Sequence, residues 1–125
     1  MGAVIQMELF PKADKTDFES ARSMLKRYLR MRQTSEALNS RLLLTEKEQQ
    51  VKVEYQQKAD AIEMAVKLIQ DDDVRRVMEF RFVRGNTRWG TVKRFGNITD
   101  RSVDRRIVRG VESVAETLKL IGQIE

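Results

Sequence analysis

Residues 87 to 112 read Thr-Arg-Trp-Gly-Thr-Val-Lys-Arg-Phe-Gly-Asn-Ile-Thr-Asp-Arg-Ser-Val-Asp-Arg-Arg-Ile-Val-Arg-Gly-Val-Glu. This stretch decides the fold. Trp89 and Val92 are three apart, on one helical face. Phe95-Gly96-Asn97 then breaks the period. Ile98 follows, and Thr99 is placed to cap a new helix. Val103, Ile107, Val111 and Val114 recur at helical spacing, the buried stripe of that second helix. Val92, Ile98 and Val103 are the residues expected to pin the two helices together. Gly96 and Asn97 are the types that best tolerate a left-handed backbone, so the sharp turn is expected there.

The other face of the second helix is cationic. Arg101, Ser102, Arg105, Arg106 and Arg109 all avoid the apolar stripe. A solvated charged face is the ordinary meaning of such a run. Three features here favour polyanion binding: the turn residues, the N-cap, and the use of Arg rather than Lys. A helix with this polar N-terminal half can enter a major groove, where Arg reads guanine edges. Arg101, Ser102 and Arg105 are expected at bases. Arg106, Arg109, Arg88, Lys93 and Arg94 are expected at phosphates, and Thr99 is also expected among the DNA-binding residues. Trp89 is expected in the core or at its rim, with an indole N–H that could donate to a phosphate.

Working outward, Val74, Val77, Met78, Arg81 and Phe82 have the spacing of a preceding helix, stopped by Gly85-Asn86. Asp71-Asp72-Asp73 precedes it. Consecutive carboxylates do not converge on one metal ion, and they are favourable at a helix N-terminus, so capping is the reading. The last helix is expected from Asp100 toward Leu120, ended by Gly122. Gly110 inside it permits a close helix approach at a cost of about 1 kcal/mol against Ala. Leu118 and Ile121 are expected to fold back on the N-terminal segment or to extend a dimer contact.

The stretch from Asp73 to Leu118, with Thr87 opening one helix and Thr99-x-x-Ser102-Val103 the next, resembles the helix-turn-helix of sigma factor region 4. It departs from that pattern in two places. Lys93 stands where a small residue is usual, and the turn glycine comes one place early at Gly96, with Asn97 in its usual position. The chain as a whole resembles the small phage regulators of the ArpU and RinA type. The resemblance implies a sequence-specific DNA-binding transcriptional regulator in a bacterial host cytoplasm. Its implied partners are double-stranded DNA and RNA polymerase, with a homodimer or higher oligomer to supply enough contacts.

Upstream, residues 16 to 70 read as a helical arm or hairpin. Thr16 and Glu19 have capping-box spacing, and Phe18, Ala21, Leu25, Tyr28 and Met31 share a face. This first helix is expected to run on toward Leu42-Leu43-Leu44. Arg22, Lys26, Arg27, Arg30 and Arg32 make its outer side basic, either for solubility or as an auxiliary phosphate contact. A second helix follows Thr45, boxed by Glu48. Its seam of Val51, Tyr55, Ala59, Ile62, Val66 and Ile69 approaches coiled-coil spacing. One long helix and a hairpin both fit. Residues 1 to 15 read as a tail or a short packing segment. The fold class is therefore all-α: an arm or hairpin over 16 to 70, then a three-helix helix-turn-helix domain over 71 to 125.

Composition narrows the function. The chain has no Cys and no His, which removes the usual structural zinc ligands and the common nucleophile–base pairs. No paired carboxylates or Gly-rich phosphate loop stand out, so neither an enzyme nor a cofactor is expected. No apolar run nears the roughly 18 residues of a membrane span, and no signal-peptide core is present. Net charge is +5, and its distribution is uneven. Residues 1 to 70 carry 12 basic and 10 acidic side chains, whereas residues 74 to 110 carry 11 basic and 3 acidic. The excess sits on the helix-turn-helix and the helix before it, as in a polyanion binder. Two other readings fit the same helices: a phage small terminase subunit for DNA packaging, and a helical interaction protein without a nucleic-acid role.

Overall fold

A computed structural model describes residues 12 to 96 and 99 to 124. The regular structure of the described residues is all helical, with no strand. Helix α1 spans Lys15–Asn39 and α2 spans Glu46–Lys67. Helix α3 spans Asp72–Met78 and continues into a π-helical turn, Glu79–Val83. Helix α4 spans Arg88–Arg94 and α5 spans Asp100–Leu120.

Helices α1 and α2 form an antiparallel hairpin, not one long helix. Tyr28 donates to Glu63, Arg32 Nη2 pairs with Asp60 at 2.8 Å and Glu63 at 3.0 Å, and Arg41 pairs with Glu48. As residue numbers rise along α1 they fall along α2. The N-terminal cap of α1 differs from expectation. Asp14, not Thr16, accepts from the Asp17 amide, and Asp17 returns the bond to the Asp14 amide, both at 2.9 Å. Asp17 also meets Lys119 Nζ at 2.9 Å. That tertiary partner accompanies the Asp14–Asp17 box. Helix α1 also stops short of the leucine run. Leu42 and Leu43 lie in the connection, 101% and 86% exposed. Thr45 then caps α2 reciprocally with Glu48.

Asp71 caps α3, its Oδ1 accepting from the amides of Asp73 and Val74. Asp72 pairs with Arg75. The acidic run therefore neutralises a helix start and its own first turn. The π turn widens the backbone bonding, with the Arg84 amide donating to the Glu79 carbonyl at 2.9 Å. Asn86 then ties back, its Nδ2 donating to the Phe80 carbonyl at 2.9 Å, and Arg81 Nη1 donates to the Asn86 carbonyl at 2.7 Å. Gly85 has φ of 75°, so this stop does need glycine.

One hydrophobic core joins the hairpin to the rest. Leu25 and Tyr28 of α1, Ile62 and Val66 of α2, Met78 of α3 and Val111, Val114 and Leu118 of α5 belong to it. It is continuous across Asp71–Asp73. Gly110 is buried, and a Cβ built there would lie 2.3 Å from Met78 Cγ, so α3 and α5 approach closely where no side chain intervenes. Leu118 folds into the core, while Ile121 stays 40% exposed. Gly122, at φ of 78°, follows the end of α5.

Candidate nucleic-acid interface

The candidate surface is built on α4, the connection after it, and α5. Thr87 caps α4, its Oγ1 accepting from the Gly90 amide at 3.0 Å. Thr99 caps α5 in the same way, accepting from the Ser102 amide at 3.1 Å. Only residues 95 to 99 separate the two helices. The corner differs from the sequence expectation in three ways, each with a local cause.

First, Gly96 does not take the left-handed backbone expected of it. Positive φ among the described residues is confined to Gly85 and Gly122. The chain leaves α4 through Phe95 at φ of −104° and ψ of 43°, a conformation open to any residue. Asn97 and Ile98, expected at the turn and in the packing, lie outside the described residues. Second, the buried residue of α4 is Thr91, fully enclosed, while Val92 is half-buried. Thr91 is tolerated there because its Oγ1 donates to the Thr87 carbonyl at 2.9 Å. Third, Trp89 is not core. It is 63% exposed, with the Arg88 guanidinium 5.1 Å from its ring centre. Trp89 and Lys93 are one turn apart on the outer side of this helix, and both are exposed.

On α5 the apolar stripe turns inward as expected. Val103, Val111 and Val114 are buried and Ile107 is half-buried. Arg101, Arg105 and Arg109, four apart, are exposed and have no ion-pair partner among the described residues. Val108 lies within this exposed set at 45% exposure. The sequence reading passed over it because valine counts as core; its place off the 103–107–111–114 stripe was the available signal. Ser102 is half-buried, and its Oγ accepts from Thr99 Oγ1 at 3.0 Å. Arg106 is turned toward α3, with Nη2 4.0 Å from Asp73 Oδ2.

Of the residues expected at phosphates, Arg88, like Arg106, is paired within the chain, and Arg94 lies elsewhere. Arg88 Nε and Nη2 donate to the two oxygens of Asp104 at 2.9 and 2.8 Å, a bidentate pair between α4 and α5. The hydrogen bonds from Arg88 hold the Asp104 carboxyl below its ordinary range, and Asp104 raises Arg88 in turn. Asp100 stands 3.8 Å from the same guanidinium. The i, i+4 carboxylates opposite a single Arg could have signalled this pairing. Arg94 lines a concavity with Arg76 and Arg84, beside Phe80 and Phe95, whose rings meet edge-on at 5.9 Å. It thus belongs to the α3 side of the corner.

Arg101, Arg105, Val108 and Arg109 therefore share one exposed face of α5, and Trp89 and Lys93 are exposed on α4. The Arg88–Asp104 pair joins the two helices. Among the described residues no group of three or more Asp or Glu side chains could hold a metal ion, and no helix is long and apolar enough to cross a membrane. Searches of family models, curated proteins and solved structures gave no match to this chain.

Proposed function

We propose that this protein is a sequence-specific DNA-binding regulator of transcription, using α4 and α5 as a helix-turn-helix with α5 in the major groove. One observation carries the reading. Arg101, Arg105 and Arg109 point away from the protein on the face opposite Val103, Val111 and Val114, with nothing of the described chain neutralising them. Three unpaired guanidiniums in line on a capped helix form a cationic ridge matched to a groove walled by phosphates.

Arg101 and Arg105, near the N-terminal end of α5, are the base-reading residues, and each can take a bidentate grip on guanine. Val108 supplies an apolar surface suited to a thymine methyl group. Arg109, Lys93 and the indole N–H of Trp89 bond to phosphate oxygens. The Arg88–Asp104 pair contributes no charge to the duplex and instead fixes the presentation of α5. A single module of this size makes few contacts, so specific affinity comes with a second copy or with RNA polymerase at the promoter. The resemblance to sigma region 4 and to the ArpU and RinA type supports the same assignment.

Selection of binding sites from a pool of random duplex DNA tests it. Enrichment of a common sequence is the expected result, and a symmetric pair of half-sites would identify a dimer. Failure to retain any duplex at low salt removes the proposal.

A further inference from the structure

The hairpin does more than support the corner. Helix α1 runs antiparallel to α5: Asp17 meets Lys119 near the end of α5, and Arg22 and Lys26 line a cleft with Asp104, Ile107 and Val108 nearer its start. Lys26 also lines the adjoining cleft, with Leu29, Arg81 and Gly85. A basic strip thus leaves the exposed face of α5 at Val108 and follows one flank of α1. Arg22 and Lys26 are exposed and have no ion-pair partner among the described residues.

Arg30, four residues after Lys26 and also exposed, continues the same line, whereas Arg32 and Arg27 are placed differently. Arg32 is held by Asp60 and Glu63. Arg27 is exposed and lies about 140° around the helix from Arg22, away from α5, by the turn of 100° per residue. Only the flank facing α5 offers cations that continue the proposed groove-binding surface. Arg22 and Lys26 are four apart, so both meet one line running beside α5. Phosphates along one strand follow such a line.

We infer that Arg22 and Lys26 bind the DNA backbone beside the major groove occupied by α5, so that the hairpin forms one wall of the DNA site. This rests on the DNA-binding reading above. The ligand is the sugar–phosphate strand, so the contribution is to affinity and salt dependence, without base preference.

The test uses the full chain and two fluorescent duplexes, one carrying the selected site and one of random sequence, titrated from 50 to 200 mM salt. Arg22→Ala with Lys26→Ala is expected to weaken binding to both duplexes equally. Loss of two phosphate contacts lowers the log–log salt slope by about 1.8, so the affinity drop across that salt range shrinks by roughly tenfold. The exchange variant, Arg22→Lys with Lys26→Arg, is expected to keep the wild-type slope, since only charge is needed. Arg27→Ala is expected to match wild type, and circular dichroism checks that each variant is folded. A double-alanine variant with the slope of Arg27→Ala overturns the inference. If Arg105→Ala loses base preference while the double-alanine variant binds as wild type, this inference fails and the DNA-binding reading stands. Absence of duplex binding by the wild-type chain removes both.

Discussion

Arg88 at the start of α4 and Asp104 in α5 hold one another through two parallel hydrogen bonds, Nε to Oδ1 at 2.9 Å and Nη2 to Oδ2 at 2.8 Å. Both side chains are partly exposed, yet the pair joins two helices that otherwise share few buried side chains. Thr91 is the buried residue of α4, and it is small. The angle at which α5 is presented therefore depends on a polar clasp as well as on packing. Asp104→Ala is expected to quicken amide exchange in α4 at neutral pH. In the DNA-binding reading it also frees Arg88 for phosphate, so affinity for random duplex rises while discrimination between sequences falls.

The same clasp has a defined pH limit. Asp104 is held below its ordinary 3.8 by the Arg88 hydrogen bonds. A carboxyl with a lowered folded value stabilises above the unfolded value, and loses that contribution as pH falls through the folded one. Arg88 is shifted upward and stays charged throughout. Wild type and Asp104→Ala should thus differ in α4 exchange at pH 6 and converge in acid below the carboxylate range. A difference that persists in strong acid would show that the clasp is not electrostatic.

Asp17 and Lys119 tie the start of α1 to the end of α5, and Asp17 is buried. Asp17 is lowered first by the Asp14 amide and then by Lys119, while its hydrogen bond raises Lys119. The lowered acid contributes above the unfolded carboxylate value, and the raised base contributes below the unfolded amine value. The pair therefore stabilises across the range between the two. Asp17→Asn is expected to lower Tm at pH 7 and to flatten the acid limb of a Tm–pH curve. An unchanged acid limb would assign acid sensitivity to other carboxylates.

Gly110 faces Met78 with no space for a methyl group. Gly110→Ala gains about 1 kcal/mol of helix propensity, against overpacking of about 1–3 kcal/mol. A net loss of stability by denaturant titration is expected. Shortening Met78 makes room, so Gly110→Ala in a Met78→Ala background should be neutral or stabilising. Additive losses in that double mutant would contradict the close approach.

Leu42 and Leu43 make the opposite case. Both are almost wholly exposed in the α1–α2 connection. Replacing the pair with Ser should change unfolding free energy by less than about 0.5 kcal/mol per site. A larger loss would show that they are covered in solution.

These residues also mark how far the sequence could be read. Caps at Thr45, Asp71 and Thr99 were legible because a cap is decided by the few residues around it. The inward stripe of α5 was legible because periodicity survives tertiary packing. The cap at Asp14 was not legible because Asp17 is not the usual Glu or Gln of a capping box, and Lys119, a hundred residues away, accompanies it. Leu42 to Leu44 looked like a helix end because apolar residues are assumed to be buried, which is a one-way rule. The π turn at Glu79–Val83 leaves no mark in composition. Among the candidate site residues, exposure of Arg101, Arg105 and Arg109 followed from their place off the stripe. The fate of Arg88 depended on which helix Asp104 would face, and the spacing of Asp100 and Asp104 was the one sign of it in the sequence.

The central claim is that the arginine face of α5 reads a DNA duplex. It is tested most directly by measuring the affinity of wild type and Arg105→Ala for a selected site and for random duplex at one fixed salt concentration. The expected result is a loss of about 1–3 kcal/mol on the selected site with a much smaller loss on random DNA. Equal losses on both duplexes, or none on either, would contradict it.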